Sequence, residues 1–181
     1  MLIEFRKFVG FKILEYFLFN STKKTYLKEL AKILEISPRS VKIYCDLFEK
    51  DGLINRERKG NLHLFSTNNE NFRIKELKRA FFINLLGELG IQNVSKECIS
   101  IAIYGSHASG HYDEKSDIDL LIIGDEKQIN KNLIVKIMNA VDKEIQLNVI
   151  PMIKWEKMKK ENDAFANSII KNHILIKGAE L

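Results

Sequence analysis

The sequence predicts an α+β protein built as two small domains joined by a helix, and three observations carry this expectation. Residues 1–67 show helical spacing three times, then two strand-like runs about a glycine turn. Residues 93–181 mix apolar strand runs with amphipathic helices, as a small α/β domain does. Residues 68–92, between them, read as a single connecting helix with an apolar stripe. A chain of 181 residues has room for one large domain or two small ones.

In order along the chain, Phe5, Phe8/Val9, Ile13 and Tyr16/Phe17 place an apolar stripe on a first helix, Phe5 to Phe19. Thr25 is expected to cap a second, Tyr26–Leu34, with Leu27, Leu30, Ala31 and Leu34 on one face. After a short turn at Glu35-Ile36, Ser37 as N-cap and Pro38 at the first helical position start a third. That helix buries Val41, Tyr44/Cys45 and Phe48 and ends at Asp51-Gly52. Leu53–Arg58 and Leu62–Ser66 read as strands joined through Lys59-Gly60-Asn61. The connecting helix runs from Asn71 to Leu89; its stripe is wide enough to pack on both domains, or to supply a contact in a homodimer. Then come strands at Cys98–Tyr104 and Leu120–Ile123, a helix at Asn132–Val141 and an alternating strand at Glu144–Ile150. Two helices around Trp155/Met158 and Phe165/Ile169/Ile170, and a strand at Ile174–Lys177, close the chain.

Composition bounds the function classes. With 45% apolar residues the chain can build real cores and is unlike a disordered sequence. No apolar stretch reaches membrane-spanning length, and the charged start Glu4-Phe-Arg-Lys7 lacks a signal-peptide core. Cys45 and Cys98 belong to no paired motif and read as buried thiols of a reducing, cytoplasmic compartment. The net charge of +5 is unevenly shared. Residues 1–90 hold 17 Lys/Arg against 11 Asp/Glu, and residues 91–181 hold 12 against 13. The basic character therefore belongs to the N-terminal half, where it permits nucleic-acid binding without demanding it.

The most informative run is Gly105-Ser-His-Ala-Ser-Gly-His-Tyr-Asp-Glu-Lys-Ser-Asp-Ile-Asp119, between two apolar strand patterns. A Gly-Ser turn leaving a buried strand presents backbone N–H groups and a hydroxyl, which suits phosphate. Asp117 and Asp119 alternate in a strand and so project from one face. Two carboxylates converging beside a phosphate cradle suit a hard divalent metal.

Gly105-Ser106, ten intervening residues and Asp117-x-Asp119 resemble the signature of the nucleotidyltransferase superfamily related to DNA polymerase beta. Gly110 and the string Ser116-Asp-Ile-Asp-Leu120 are similar to its minimal microbial branch, which includes antitoxin-type members. The resemblance implies a nucleotide-binding set of Gly105, Ser106, Gly110 and Ser116. It also implies two Mg²⁺, or Mn²⁺, on Asp117 and Asp119, with NTP as substrate, ATP being the expected one. A third catalytic carboxylate from a later strand is implied too; Glu144 is the leading candidate, Asp142 shares its parity, and Gln146 stands where a stricter reading wants an acid. His107 takes the place of an Arg that many relatives carry, and is mostly neutral at pH 7, a weaker phosphate partner. His107 and His111, four residues apart, read as polar residues at the site rim rather than a metal pair.

Residues 8–67 resemble a winged helix-turn-helix, on the strings Leu30 to Ser37, Arg39-Ser40-Val41 and Asp51-Gly52-Leu53-Ile54. That resemblance implies double-stranded DNA as a partner. Arg39, Ser40 and Lys42 would enter the major groove while Arg56, Arg58 and Lys59 carry the wing to the backbone. Three functions stay open. One is an active transferase moving NMP to a hydroxyl of a protein, RNA or small molecule. The second is a DNA-binding transcriptional regulator whose C-terminal domain senses nucleotide, and the third is an antitoxin that acts on a toxin partner.

Overall fold

The computed structural model describes residues 7–181. They fall into two compact units, the first ending at Phe81 and the second starting at Phe82. The expected helix start at Phe5 lies outside the described residues.

The first unit runs α1 (Val9–Phe19), β1 (Thr25–Tyr26), α2 (Leu27–Leu34), α3 (Pro38–Lys50), β2 (Ile54–Lys59) and β3 (Leu62–Thr67). Its three strands form an antiparallel sheet in the order β1-β3-β2. Burial of Ile13 and Phe17 from α1, Leu30 and Ala31 from α2, and Val41, Cys45 and Phe48 from α3 builds one core against Ile54 and Phe65. The helical spacing read from the sequence is the spacing of these residues, because each helix has one face to bury. Ser37 caps α3 as expected, its Oγ accepting from Ser40 N–H at 3.1 Å with Pro38 next in line.

Thr25 does not cap α2. It pairs with Phe65 in β1, and its Oγ1 lies 2.8 Å from the Tyr16 hydroxyl. Tyr26 takes the N-cap position, where its N–H donates to the Glu29 carboxylate at 3.3 Å. A partner 40 residues downstream decides Thr25, and short-range capping rules cannot see it. The connecting helix, α4 (Phe72–Glu88), is tied at its start to this unit. Asn71 Nδ2 donates to Gly52 O at 2.9 Å, and the buried Lys78 ammonium to Ser21 Oγ at 3.1 Å.

The second unit contains β4 (Cys98–Tyr104), α5 (Gly105–Ser109), β5 (Ile118–Gly124), α6 (Lys131–Val141), β6 (Ile145–Ile150), α7 (Met152–Lys160), α8 (Ala164–Lys171) and β7 (His173–Gly178). The sheet order is β6-β5-β4-β7. β4 is antiparallel to β5 and β7, while β5 and β6 are parallel and joined through α6. Ile118 and Leu120 through Ile123 are all buried, because the central strand is covered on both faces. On one face Leu121, Ile123 and Ile150 pack with Trp155 of α7 and with Ala166 and Ile169 of α8. No helix among the described residues is long and apolar enough to cross a membrane.

Candidate active site

The site forms where β4 ends, α5 begins and β5 starts. One register row crosses the whole sheet here: Gln146 pairs with Asp119, Asp119 with Tyr104, and Tyr104 with His173. Paired residues share a face, so these four side chains rise from one side of the sheet. Asp117, two residues before Asp119, shares that face.

Gly105 is required twice over. Its φ of +68° is left-handed, and a Cβ there would lie 2.1 Å from Asp119 Oδ2. The carboxylate therefore sits directly against the backbone that opens α5. Ser106 follows, and its carbonyl accepts from Ser109 Oγ at 3.1 Å and His111 N–H at 3.0 Å. Gly110, at φ +74°, closes the short helix with its N–H on the same carbonyl. The expected Gly-Ser turn is thus a five-residue helix bounded by two left-handed glycines.

Asp117 and Asp119 are both half-buried. Burial raises the Asp119 pKa above the ordinary aspartate range, and the neighbouring Asp117 charge adds to it. Gln146 Nε2 donates to Asp117 Oδ2 at 3.2 Å, so the amide leans on the first carboxylate. Glu144 lies just ahead of β6 with an exposed side chain, and its carbonyl accepts from Ile118 N–H at 2.8 Å. Among the described residues no three His, Cys, Asp or Glu side chains gather closely enough to hold a metal. Behind the pair, the Tyr104 hydroxyl accepts from Asn148 Nδ2 at 2.7 Å and its ring meets Phe165 edge-on at 5.7 Å.

The loop into Asp117 is braced. Ser116 Oγ donates to Asp113 Oδ1 at 2.8 Å and accepts from Asp113 N–H at 2.9 Å. The Ser116 hydroxyl foremost, with the backbone N–H groups of Lys115 and Ser116, holds the Asp113 carboxyl below the usual range. Lys143 donates to the carbonyls of Asp113, Glu114 and Ser116 at 2.8, 3.1 and 3.0 Å. Sequence reading missed Lys143, whose partners lie 27 to 30 residues upstream with no motif to mark it.

His107 is not at the rim. Its ring is buried, stacked on Tyr112 at 4.4 Å and tilted against Phe82 at 4.2 Å. It is a core aromatic that faces away from solvent, since α5 turns residues 107 and 108 inward. His111 is exposed, so the two imidazoles do not converge.

In the first unit the expected nucleic-acid residues divide. Arg39, Lys42, Arg58 and Lys59 are exposed. Lys42 lies 3.5 Å from Asp46, and Arg58 Nε donates to Gly60 O at 3.0 Å within its own turn. Ser40 is engaged with the Ser37 cap, hydroxyl to hydroxyl at 2.8 Å. Arg56 is committed inward: it pairs with Asp46 and with Glu49, the latter at 2.7 Å, and lies over the Phe65 ring at 5.2 Å. Ile43 and Leu47, one turn apart on α3, are 56% and 46% exposed, so the outer face of that helix is partly apolar.

The family model for the nucleotidyltransferase domain matches residues 91–176. Among solved structures the chain is similar to the crystal structure of a toxin-antitoxin with AMP-PNP. Identity is 18% over 54% of this chain and 74% of that one, with a TM-score of 0.36. It is also similar to a candidate nucleotidyltransferase from Sulfolobus solfataricus, at 22% identity over 60% of this chain and 85% of that one, TM-score 0.27. At those TM-scores neither carries the argument, and no curated protein matches the sequence. The family match carries it for the span it covers: residues 91–176 match the nucleotidyltransferase domain, which supports nucleotidyltransferase activity for the second unit.

Proposed function

We propose that this protein transfers a nucleoside monophosphate from an NTP, ATP being the expected donor, to a hydroxyl of a protein, RNA or small-molecule acceptor. The observation that carries the reading is the placing of Asp119 against Gly105. It sets one carboxylate of a pair that shares a face of the sheet against the Gly105 backbone, which supports reading that turn as the phosphate cradle.

The donor set fits a divalent ion. Asp117 and Asp119 repel each other and Asp119 is poorly solvated, and a cation between them relieves both costs. Mg²⁺ bound there supplies charge neutralisation for the triphosphate and acidifies an acceptor hydroxyl. Asp117 and Asp119 would hold it; Glu144, the expected third acid, is exposed and does not gather with them into a three-acid cluster. The backbone N–H groups that open α5, and the Ser106 hydroxyl, would take the triphosphate oxygens. Gly105 keeps that approach open, Gly110 fixes where α5 ends, and Ser116 acts through the loop rather than on the nucleotide.

The first unit we read as a DNA-binding winged helix. Support comes from the order α1-β1-α2-α3-β2-β3 and from a β2-β3 hairpin bearing Arg58 and Lys59. Arg39 and Lys42 on α3 complete the proposed contacts, whereas Arg56 serves as an internal brace. A second reading, a regulator that binds nucleotide without transferring it, is favoured by one observation. That is the neutral Gln146 amide on Asp117, where an acid would strengthen a metal site.

Transfer of label from α-labelled NTPs to cell extract, with Mg²⁺ or Mn²⁺, separates the readings. Label that depends on Asp117 and Asp119 establishes transfer, and the labelled band names the acceptor, a toxin partner included. Nucleotide binding without label turns the conclusion to the regulator. A mobility shift on duplex DNA that weakens with salt, and is lost in Arg39→Ala with Lys42→Ala, tests the first unit.

A further inference from the structure

Lys143 stands between α6 and β6, just past Asp142, whose left-handed backbone ends the helix. Its ammonium donates to the carbonyls of Asp113, Ser116 and Glu114 at 2.8, 3.0 and 3.1 Å. An ammonium has three N–H donors, and all three are used here. Converging carbonyls of this kind ordinarily face water or a bound cation; this chain supplies its own.

The arrangement acts on one residue. The carbonyl of Ser116, immediately before Asp117, is held by Lys143 Nζ. The N–H of Ile118, immediately after Asp117, is held by Glu144 O at 2.8 Å. Two consecutive residues therefore pin both chain neighbours of Asp117 to the start of β6, the strand that brings Gln146 onto the same carboxylate. The Asp113–Ser116 clamp closes the loop on itself but does not tie it to the sheet. Lys143 makes that tie. The carboxylates of Asp113, Glu114, Asp117 and Asp142 all lie close enough to act on its charge.

We propose that Lys143 is a positioning residue for Asp117, anchoring the 113–116 loop so that the Asp117 carboxylate stands ready for a divalent ion beside Asp119. The inference rests on the reading of Asp117 and Asp119 as metal ligands. Lys143 touches neither nucleotide nor metal in this role.

The sign of one measurement decides it. A lysine that is only a nearby positive charge repels a divalent cation, so its removal should tighten metal binding or leave it unchanged. A positioning lysine gives the opposite result. Mn²⁺ affinity of the full chain is read from the free-ion electron paramagnetic resonance signal, with no nucleotide present. Lys143→Met is expected to weaken Mn²⁺ about tenfold or more, the scale seen when supports of metal ligands are removed. Lys143→Gln keeps two N–H donors without the charge, and should fall between Met and the wild type. Far-UV circular dichroism and thermal unfolding check that each variant is folded, and if the Met variant is not, the Gln variant decides. Mn²⁺ bound as tightly as in the wild type, or more tightly, by a folded variant overturns the proposal. Mn²⁺ binding by the wild type that persists in the Asp117→Ala, Asp119→Ala double variant fails the metal reading instead, and the proposal falls with it.

Discussion

Gly105→Ala tests the heart of the site. The new Cβ would lie 2.1 Å from Asp119 Oδ2, against about 3.4 Å for ordinary contact, so the carboxylate must retreat by about 1.3 Å. Misplacing a catalytic group by about 1 Å can cost roughly 100-fold in rate, which sets the expected loss of nucleotidyl transfer. A separate cost falls on the backbone. Holding a non-glycine residue at φ +68° costs about 1–2 kcal/mol, seen as lowered resistance to denaturant. The two effects separate in an Asp119→Ala background. There the clash partner is gone, and Gly105→Ala should cost only the backbone share. Transfer is followed with α-labelled ATP and Mn²⁺, and stability by urea unfolding of the four proteins in the cycle. Wild-type transfer and stability in Gly105→Ala would refute the reasoning, because the geometry leaves a methyl group no room beside that carboxylate.

Further expectations follow from the same contacts. Gln146→Asp replaces an amide donor on Asp117 by a third carboxylate; Mn²⁺ affinity and transfer should both rise, and a fall in both would mean that the amide is needed where it stands. Asp119 has a raised folded-state pKa, so its share of stability is full below the ordinary aspartate range and is lost as pH rises through the raised value. Metal-free Asp119→Asn should therefore gain on the wild type in thermal unfolding across that window and keep the gain at neutral pH; parallel curves would count against the burial of this carboxyl. Arg56→Ala removes the partner of Asp46 and Glu49 and the cation over Phe65, and should destabilise the first unit by about 1–2 kcal/mol in denaturant melts. Burial pushes the Cys45 thiol up to about 12, so in a Cys98→Ser background, which removes the half-buried second thiol, maleimide at neutral pH should label Cys45 only after unfolding; labelling of that folded variant would contradict its place in the core.

What the sequence determined is what depends on near neighbours. The stripes of α1, α2 and α3 were legible because a helix repeats every few residues, and the Ser37 cap because its partner is Ser40. The apolar run Leu120–Ile123 was legible as a strand of β5. Gly105, Ser106, Asp117 and Asp119 could be picked out because one short run holds a turn, a strand start and their spacing.

Only the tertiary structure decided the rest. Thr25 became a strand residue through Phe65, and His107 became a core ring through Phe82 and Tyr112. Arg56, which a basic wing offers to DNA, turned inward to two acids on α3. At Asp117, Gln146 arrives from 29 residues downstream and Lys143 braces the loop before it. Each of these side chains had several chemically acceptable partners, and local periodicity ranks none of them. Their choice was settled by which strands lie side by side and in what register, which residue identity alone does not encode.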